Sequence, residues 1–416
     1  MRRIIPIILM LISQSAFSQI INIESKIDSL ISKMTFWEKL HQLYPYDVLN
    51  TGDNPRLGIP GFYMTDGPHG YRYPESTGGM TYPVPTEALA TSFPINMAIA
   101  ATWDPDLAYR MARAMGNEFV AKGINQPLAP TLYLCNDPRN GRSGESYGED
   151  PYLCARIGTI TVKGIQSTPS IATIKSYICE NAQNTRMTDT ITVSRRMLME
   201  HWGWPFKQSI QDANALCVMS AYVKVNDTSA SQNYLLNKEI LRNEWGYPYY
   251  MVSDWGSVND AGASISSGLD VCMGSIHYAS DLWPLFLSGT LSDSILNNSV
   301  KRVLLTKFIS GILDWQPCVP VNEVSGFTSQ TVNYEAASKS LILLKNTDNI
   351  LPLNKNTIGS VALIGPSAAI AQLDGYGSSY VFPTYTVSPL QAFIQKIGVS
   401  KVKYSHGCSI NSYDTT

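Results

Sequence analysis

The chain has 416 residues, of which 44% are hydrophobic and 15% are charged. This composition is typical of a globular protein with room for two or three domains, and it excludes a disordered chain. The formal net charge of -2 gives no reason to expect nucleic acid or an anionic membrane surface as a partner. The seven cysteines are widely spaced and include no C-x-x-C pair, so we expect no zinc site, although one or two disulfides remain possible.

Residues 1–18 are predicted to be a secretory signal peptide. Arg2 and Arg3 precede a short apolar run, 4–12, and Ala16-Phe17-Ser18 supplies a small-x-small cleavage site before Gln19. The apolar run is too short to span a bilayer, and no later stretch is long enough either. We therefore expect an exported protein, periplasmic or secreted, without a membrane span.

Short apolar runs alternate with amphipathic segments along residues 19–313. The apolar runs predict strands at 61–66, 126–134, 171–177, 215–222, 249–255 and 269–273. The amphipathic segments predict helices at 107–122, 151–166, 194–212, 235–245 and 291–313. This alternation indicates a parallel sheet with crossover helices, and the number of repeats favours a closed TIM-like (β/α)8 barrel as the catalytic domain.

A second α/β unit is predicted after a Pro-rich linker at 314–332. A helix at 333–345 and a strand at 358–365 begin this unit, which occupies 333–416. Because it has only about 80 residues, we expect an incomplete α/β sandwich domain and a sequence that is truncated within it. Such a unit would expose apolar strands such as 361–364.

Polar residues follow several of the predicted barrel strands. Asp66, Lys175, Tyr222 and Asp254 each come directly after an apolar run. In a barrel of this type the carboxyl ends of the strands meet on one rim, which is where catalytic residues lie. The stretch Y-Y-M-V-S-D-W-G at 249–256 would place a carboxylate beside an indole, a pairing that suits sugar binding. From local sequence alone, however, the N-cap of the next helix is the favoured role of Asp254.

A series of motifs then occurs in a fixed order along nearly the whole chain. They include R-L-G-I-P-G at 56–61, T-D-G-P-H-G at 65–70, D-P-R-N-G-R at 137–142, E-S-Y-G-E-D-P-Y-L at 145–153, L-R-N-E-W-G at 241–246, V-S-D-W-G at 252–256, G-L-D at 268–270 and I-L-P-L at 350–353. Together they resemble the family 3 glycoside hydrolases, the exported β-glucosidase and β-xylosidase type. The resemblance implies a retaining, exo-acting β-glycosidase that acts on terminal β-D-glucosides or xylosides of oligosaccharides and needs neither cofactor nor metal.

The resemblance also implies roles for individual residues. Asp254 would be the nucleophile that forms a covalent glycosyl intermediate, with a proton donor about 5 to 5.5 Å away. The residues expected to bind the sugar are Asp66, Arg142, Lys175, Ser176, Arg186, Tyr222 and Trp255. From local sequence alone, Arg142 could instead form a minor ion pair with Glu145, Arg186 could be a surface arginine, and Tyr222 could be an ordinary aromatic at a strand end.

Two departures from the family pattern stand out. Lys175-Ser176 replaces the usual Lys-His, and the following loop reads E-N-A-Q-N-T-R where the family more often has N-N-Q-E before an Arg. The family's acid/base carboxylate usually comes from a later part of the second domain, and the last glutamate here is Glu335. We therefore expect the acid/base to be absent or to be an aspartate such as Asp374 or Asp414, and Ser378 or Ser379 to contact substrate. The alternative function is a catalytically impaired carbohydrate-binding protein.

Overall fold

The computed structural model describes residues 22–73, 84–314, 321–373 and 377–408. Within these ranges the barrel wall is built from short parallel strands, in the order β1 (Met64–Asp66), β2 (Gln126–Leu128), β3 (Thr173–Tyr177), β4 (Cys217–Ser220) and β5 (Tyr250–Val252). Each strand is hydrogen-bonded to the next one along the chain, β2 and β3 through Thr173 N to Ala129 O. All five strands are buried almost throughout, as expected for a parallel sheet covered on both faces.

Two further segments close the ring between β5 and β1. Val271 pairs in parallel with Val252, and Cys272 N donates to Leu43 O. The loop that follows Leu43 then returns to β1, where Asn50 pairs with Tyr63. The structure thus confirms a barrel of the TIM type, but the strand predicted at 269–273 is reduced to a single bridge.

Helices surround the barrel. Those predicted at 107–122, 151–166, 235–245 and 291–313 are present, the one predicted at 194–212 is a regular α-helix only from Trp204, and several others were not predicted. In chain order the main ones are 22–33, Phe36–His41, Asn96–Ala101, Pro105–Ala121, Pro151–Ile165, Trp204–Ala213, Leu235–Glu244, Ala261–Ser267, His277–Leu287 and Asp293–Ser310. Asp104-Pro105 and Asp150-Pro151 each begin a helix in the same way: the aspartate accepts a backbone N–H three residues on, and the proline occupies the first helical position. None of the helices in the described ranges is both long and apolar enough to cross a bilayer.

Asp270 connects three parts of the barrel wall. It is fully buried, pairs with Arg242 at 2.7 Å and Arg302 at 2.6 Å, and accepts the N–H of Met251 at 2.8 Å. Two of the sequence motifs, L-R-N-E-W-G and G-L-D, therefore meet in one buried ion-pair network. Breaking such a network costs more than any surface pair because it leaves an unpaired charge in the interior.

The helix predicted at 333–345 runs from Phe327 to Lys339 in the structure. This helix packs on the barrel helix Pro105–Ala121, where Glu335 pairs with Arg110 at 2.8 Å. The predicted bounds were wrong at both ends. The end was placed too late because the apolar residues 341–344 were counted as helical, whereas the structure has them exposed beyond the helix end. The domain boundaries given above stay a prediction.

A small α/β element follows this helix. The strand Val361–Ile364 pairs in parallel with Val402–Ser405, and the helix Pro389–Ile397 lies between them in the sequence. Alternate residues of Val361–Ile364 are exposed, as predicted. The predicted signal peptide at 1–18 and the candidate aspartates Asp374 and Asp414 lie outside the described residues. The cysteines within the described ranges are free thiols, and all but Cys408 are buried.

Candidate active site

Asp254 follows β5 and lies inside the barrel rim, with 8% of its surface exposed. Its backbone N–H donates to Ser220 Oγ at the end of β4, its side chain accepts the N–H of Trp255 at 2.8 Å, and the Tyr222 hydroxyl donates to its carboxylate. Burial, and then the negative charge of Glu180, raise the pKa of Asp254 to about 6. The helix-cap alternative is wrong, because Asp260 caps the next helix.

Asp66, at the end of β1, has the opposite electrostatic environment. Lys175 Nζ lies 3.1 Å from one carboxylate oxygen and Arg72 Nη1 lies 2.8 Å from the other. Burial alone would raise the pKa of Asp66, but the charges of Lys175 and Arg72 outweigh burial and hold it below its usual range. Asp66 is therefore ionised at neutral pH and can accept strong hydrogen bonds from hydroxyl groups.

Arg142 enters the site from the loop after β2. Its guanidinium forms a bidentate pair with Glu145, at 2.6 and 2.7 Å, and its Nη1 lies 3.6 Å from Glu180. The local sequence suggested that Arg142 and Glu145 form an ion pair, and the structure has this pair. It is not a minor surface pair, because only 18% of the Arg142 side chain and 4% of the Glu145 side chain is exposed. A buried bidentate pair holds the guanidinium in a fixed orientation.

Arg186 and Tyr222 form a stacked pair beside Asp254. The Arg186 guanidinium carbon lies 4.4 Å from the centre of the Tyr222 ring, and Arg186 Nη1 donates to Gln183 Oε1 at 2.8 Å. Arg186 is thus held against the site and is not a loose surface arginine. Burial, and then the charge of Asp254, raise the pKa of Tyr222, so its hydroxyl stays protonated and donates to the carboxylate.

Ser176 and Trp255 complete the predicted set. Ser176 is fully buried beside Lys175, and its hydroxyl has no hydrogen-bond partner in the described part of the chain. Trp255 is partly buried, and its indole N–H donates to Val48 O at 2.7 Å. Gly274, with a φ of +68°, passes so close to this tryptophan that an added Cβ would lie 2.7 Å from Trp255 Cα. The hydrogen bond to Val48 therefore fixes the indole, and the close approach of Gly274 fixes the backbone of Trp255.

Two family models match the chain. One, described as the glycosyl hydrolase family 3 N terminal domain, matches residues 10–306, and the other, the C-terminal domain of the same family, matches residues 341–408. The chain belongs to glycosyl hydrolase family 3. The matches to the two models correspond to the barrel and to the second unit, so this family 3 chain contains a barrel of the TIM type followed by an α/β domain.

Curated relatives of this family 3 chain are named as β-glucosidases. It is 34% identical over 385 residues to thermostable beta-glucosidase B of Acetivibrio thermocellus, a match that covers 92% of this chain and 50% of the relative. It is also 34% identical over 387 residues to a probable beta-glucosidase I of Aspergillus terreus, covering 91% and 45%. The chain therefore spans about half the length of the curated relatives it matches.

Solved structures show the same architecture. The β-glucosidase of Kluyveromyces marxianus superimposes with a TM-score of 0.82 at 31% identity, covering 91% of this chain and 45% of that one. A β-glucosidase from Streptomyces venezuelae, solved in complex with D-glucose, gives a TM-score of 0.83 at 27% identity, covering 91% and 50%.

The second unit of this family 3 chain reaches the barrel close to the site. Phe382 pairs with Leu89, and Val381 lies so near Gly70 that an added Cβ there would be 3.2 Å from it. Gly70 ends the T-D-G-P-H-G motif, has a φ of +146°, and has room for no side chain. Ser379 is buried in this segment, while Gly375 and Tyr376 lie outside the described residues. The substrate contacts predicted for Ser378 and Ser379 stay a prediction.

The structure brings the predicted site residues of this family 3 chain together on one rim, and it adds others. Asp66, Arg142, Lys175, Arg186 and Tyr222 form one connected set around Asp254. The additional members are Arg72, Glu180, Gln183 and Val48. Arg72 comes two residues after the T-D-G-P-H-G motif, and Glu180 and Gln183 belong to the loop that departs from the family pattern. Closeness to these motifs in the sequence could have identified these three residues as members of the site.

Proposed function

We propose that this protein is a retaining, exo-acting β-glycosidase in which Asp254 is the nucleophile. An oxygen of Asp254 attacks the anomeric carbon of the substrate, the bond to the leaving group breaks, and a glycosyl-aspartate ester forms, which water then hydrolyses. The observation that supports this role is a buried carboxylate at the end of a barrel strand, with a donor from Tyr222 and two cations, Arg142 and Lys175, facing it.

The proposed substrates are terminal β-D-glucosides of oligosaccharides, or xylosides. The names of the curated relatives favour glucosides. Asp66 would accept hydrogen bonds from sugar hydroxyls, while Arg142, Lys175, Ser176 and Arg186 would supply donors. Trp255 would stack on the next sugar. The charges and contacts of the rim support these roles.

Trapping of the covalent intermediate tests the role of Asp254. A 2,4-dinitrophenyl 2-deoxy-2-fluoro-β-D-glucoside has a leaving group that departs with little proton donation, so the experiment does not depend on which residue is the acid/base. We expect one fluoroglucosyl group on the peptide that contains Asp254, detected by mass spectrometry after digestion, and none on an Asp254→Asn variant. A folded protein that stays unlabelled would contradict the proposal.

The same experiment separates this proposal from the alternative. If calorimetry detects glucose binding by a protein that is never labelled and that releases no dinitrophenol, the chain is a carbohydrate-binding protein without turnover. Labelling at a residue other than Asp254 would retain the enzymatic function but reject the assignment of the nucleophile.

We also propose that the protein is exported, to the periplasm or outside the cell. The support is the positive, apolar and small-x-small pattern of residues 1–18. Fractionation of cells that express the full chain, followed by N-terminal sequencing, should find the protein outside the cytoplasm and beginning at Gln19. An N-terminus that still includes Arg2 and Arg3 in a cytoplasmic fraction would reject it.

A further inference from the structure

Glu180 is a fully buried carboxylate three residues after β3, and no role for it follows from the reaction described above. Both of its oxygens accept hydrogen bonds: Oε2 accepts the backbone N–H of Tyr222 at 3.0 Å, and Oε1 accepts the side-chain amide of Gln183 at 3.2 Å. Arg142 Nη1 lies 3.6 Å away. A carboxylate is costly to bury unless its oxygens are satisfied, and these contacts satisfy them.

These contacts continue into a closed ring of side chains. Gln183 Oε1 accepts a hydrogen bond from Arg186, whose guanidinium stacks on the ring of Tyr222, and the backbone of Tyr222 donates to Glu180. The hydroxyl of Tyr222 in turn donates to Asp254. Glu180 therefore touches the backbone of the residue that orients the nucleophile and, through Gln183, the arginine that stacks on that residue.

We propose that Glu180 is a positioning residue, which fixes Tyr222, Arg186 and Arg142 around Asp254 through this ring. The proposal rests on the proposed role of Asp254 as the nucleophile. Glu180 itself does not touch the reacting atoms, because its two oxygens are occupied by Tyr222 and Gln183.

The two polar side chains of this ring that lie in the loop after β3 are also among the positions at which the loop departs from the family pattern. Where the family more often has N-N-Q-E, this chain has E-N-A-Q at 180–183, so a carboxylate and a carboxamide have exchanged places at the first and fourth positions. The ring contains one of each, with the carboxylate accepting from the amide. Exchanging the carboxylate and the carboxamide between positions 180 and 183 of this molecule should therefore keep the ring.

Glu180 also affects the titration of the nucleophile. The charged and titratable groups that face Asp254 are Glu180 and Arg142 from the loops after β3 and β2, Lys175 from β3, and Tyr222 from the segment after β4. Glu180 is the negative group whose charge raises the pKa of Asp254, after burial, whereas Arg142 and Lys175 lower it. Replacing Glu180 by a neutral side chain should therefore let Asp254 ionise at lower pH.

The test is the pH profile of labelling by the fluoroglucoside between pH 4.5 and 8. In the unmodified protein the rate should rise with a midpoint near 6 as Asp254 ionises. In Glu180→Gln the midpoint should move down by about one pH unit. The rate at pH 8 should fall about tenfold, because Tyr222 and Arg186 lose a fixed partner.

Two further variants separate positioning from folding. The double variant Glu180→Asn/Gln183→Glu keeps one carboxylate and one amide, so its rate at pH 8 should return to within about threefold of the unmodified protein. The control is Glu118→Gln. Glu118 is equally buried but accepts hydrogen bonds from Thr91 and Ser325, neither of which belongs to the ring around Asp254, so the labelling profile should not move.

The outcomes distinguish this proposal from the proposed function. An unmodified protein that is not labelled at any pH rejects the nucleophile and the positioning role together. Labelling with an unmoved midpoint and rate in Glu180→Gln rejects only the role of Glu180. The role of Glu180 would also be rejected if Glu118→Gln changed the labelling profile by the same amount, or if the double variant were labelled as slowly as Glu180→Gln. In either case the loss of rate would reflect general stability and not the positions of the side chains around Asp254.

Discussion

The β1 and β5 ends of the barrel each hold a buried aspartate, yet the two carboxylates have opposite electrostatic environments. Asp66 lies between Lys175 and Arg72, and its pKa is held below its usual range. Asp254 has Glu180 nearby, and its pKa is raised to about 6. Burial acts in the same direction on both, so the neighbouring charges decide the difference. Two carboxylates in one site with pKa values pushed apart is a common arrangement in acid–base and nucleophilic chemistry.

The comparison separates a carboxylate that stabilises the fold from one that costs stability. The native pKa of Asp66 is depressed, so Asp66 contributes stability above the unfolded pKa, and this is lost as the pH falls through the lower native value. The native pKa of Asp254 is raised, so the native protein loses stability as the pH rises from about 4 to about 6. A group retained at a cost in stability is a candidate for function.

The largest effect should come from Asp254→Gly. Loss of the nucleophile should lower the hydrolysis of 2,4-dinitrophenyl β-D-glucoside by about 10⁴-fold or more, because no covalent intermediate can form. Sodium azide should restore release of dinitrophenol by entering the vacated space, and the product should be the α-glucosyl azide, identified by NMR. A β-azide, or no rescue in a folded variant, would contradict the assignment.

Asp66→Asn should have the largest effect on stability. It leaves Lys175 and Arg72 without their carboxylate, and removing one partner of a buried ion pair costs about 3 kcal/mol or more. Urea unfolding at pH 7 measures the free energy of unfolding. The matched control is Asp212→Asn, on the exposed face of the helix Trp204–Ala213, which should change it by less than about 0.5 kcal/mol. Equal losses of unfolding free energy in the two variants would show that the ion pairs of Asp66 stabilise the fold no more than an exposed carboxylate does.

Asp254→Asn should change stability in the opposite direction. At pH 7 the unmodified protein must keep Asp254 ionised although its native pKa, about 6, lies above the ordinary 3.8. Removing that charge should raise the free energy of unfolding at pH 7 by about 2–3 kcal/mol. The gain should vanish below about pH 4, where Asp254 is protonated in both states. A variant that is less stable than the unmodified protein at pH 7 would show that Asp254 is stabilised by its neighbours as Asp66 is.

Local patterns in the sequence predicted the frame of this site. The apolar runs near Asp66, Lys175 and Asp254 predicted strands that carry the candidate site residues. In the structure Asp66 ends β1, Lys175 lies within β3, and Asp254 follows β5. Buried parallel strands give a strong local signal, because both faces are apolar. Apolar sequence was misleading at 341–344, where an apolar run was predicted to be part of a helix but lies outside it in the structure.

Contacts between distant loops could not be predicted. Val48 meets Trp255, and Glu180 meets the backbone of Tyr222, across 207 and 42 residues of sequence. Neither contact has a periodicity or a spacing that would reveal it, because each depends on how loops at the ends of different strands fold over the rim. The electrostatic difference between Asp66 and Asp254 depends on such contacts, so it too was invisible in the sequence.

Ser176→Ala should give the smallest effect and extends the comparison to a neutral group. The Ser176 hydroxyl is buried and, in the described part of the chain, has no hydrogen-bond partner, so its removal should raise the free energy of unfolding by up to about 1 kcal/mol. Ser146→Ala is the matched control: that hydroxyl is equally buried but donates to Tyr133 O at 2.9 Å, and its loss should lower stability by about 1 kcal/mol. If the sugar is the partner of Ser176, glucose should bind Ser176→Ala a few-fold more weakly in calorimetry. An unchanged affinity for glucose would show that the Ser176 hydroxyl does not contact the sugar. Sugar recognition would then depend on the charged groups of the rim.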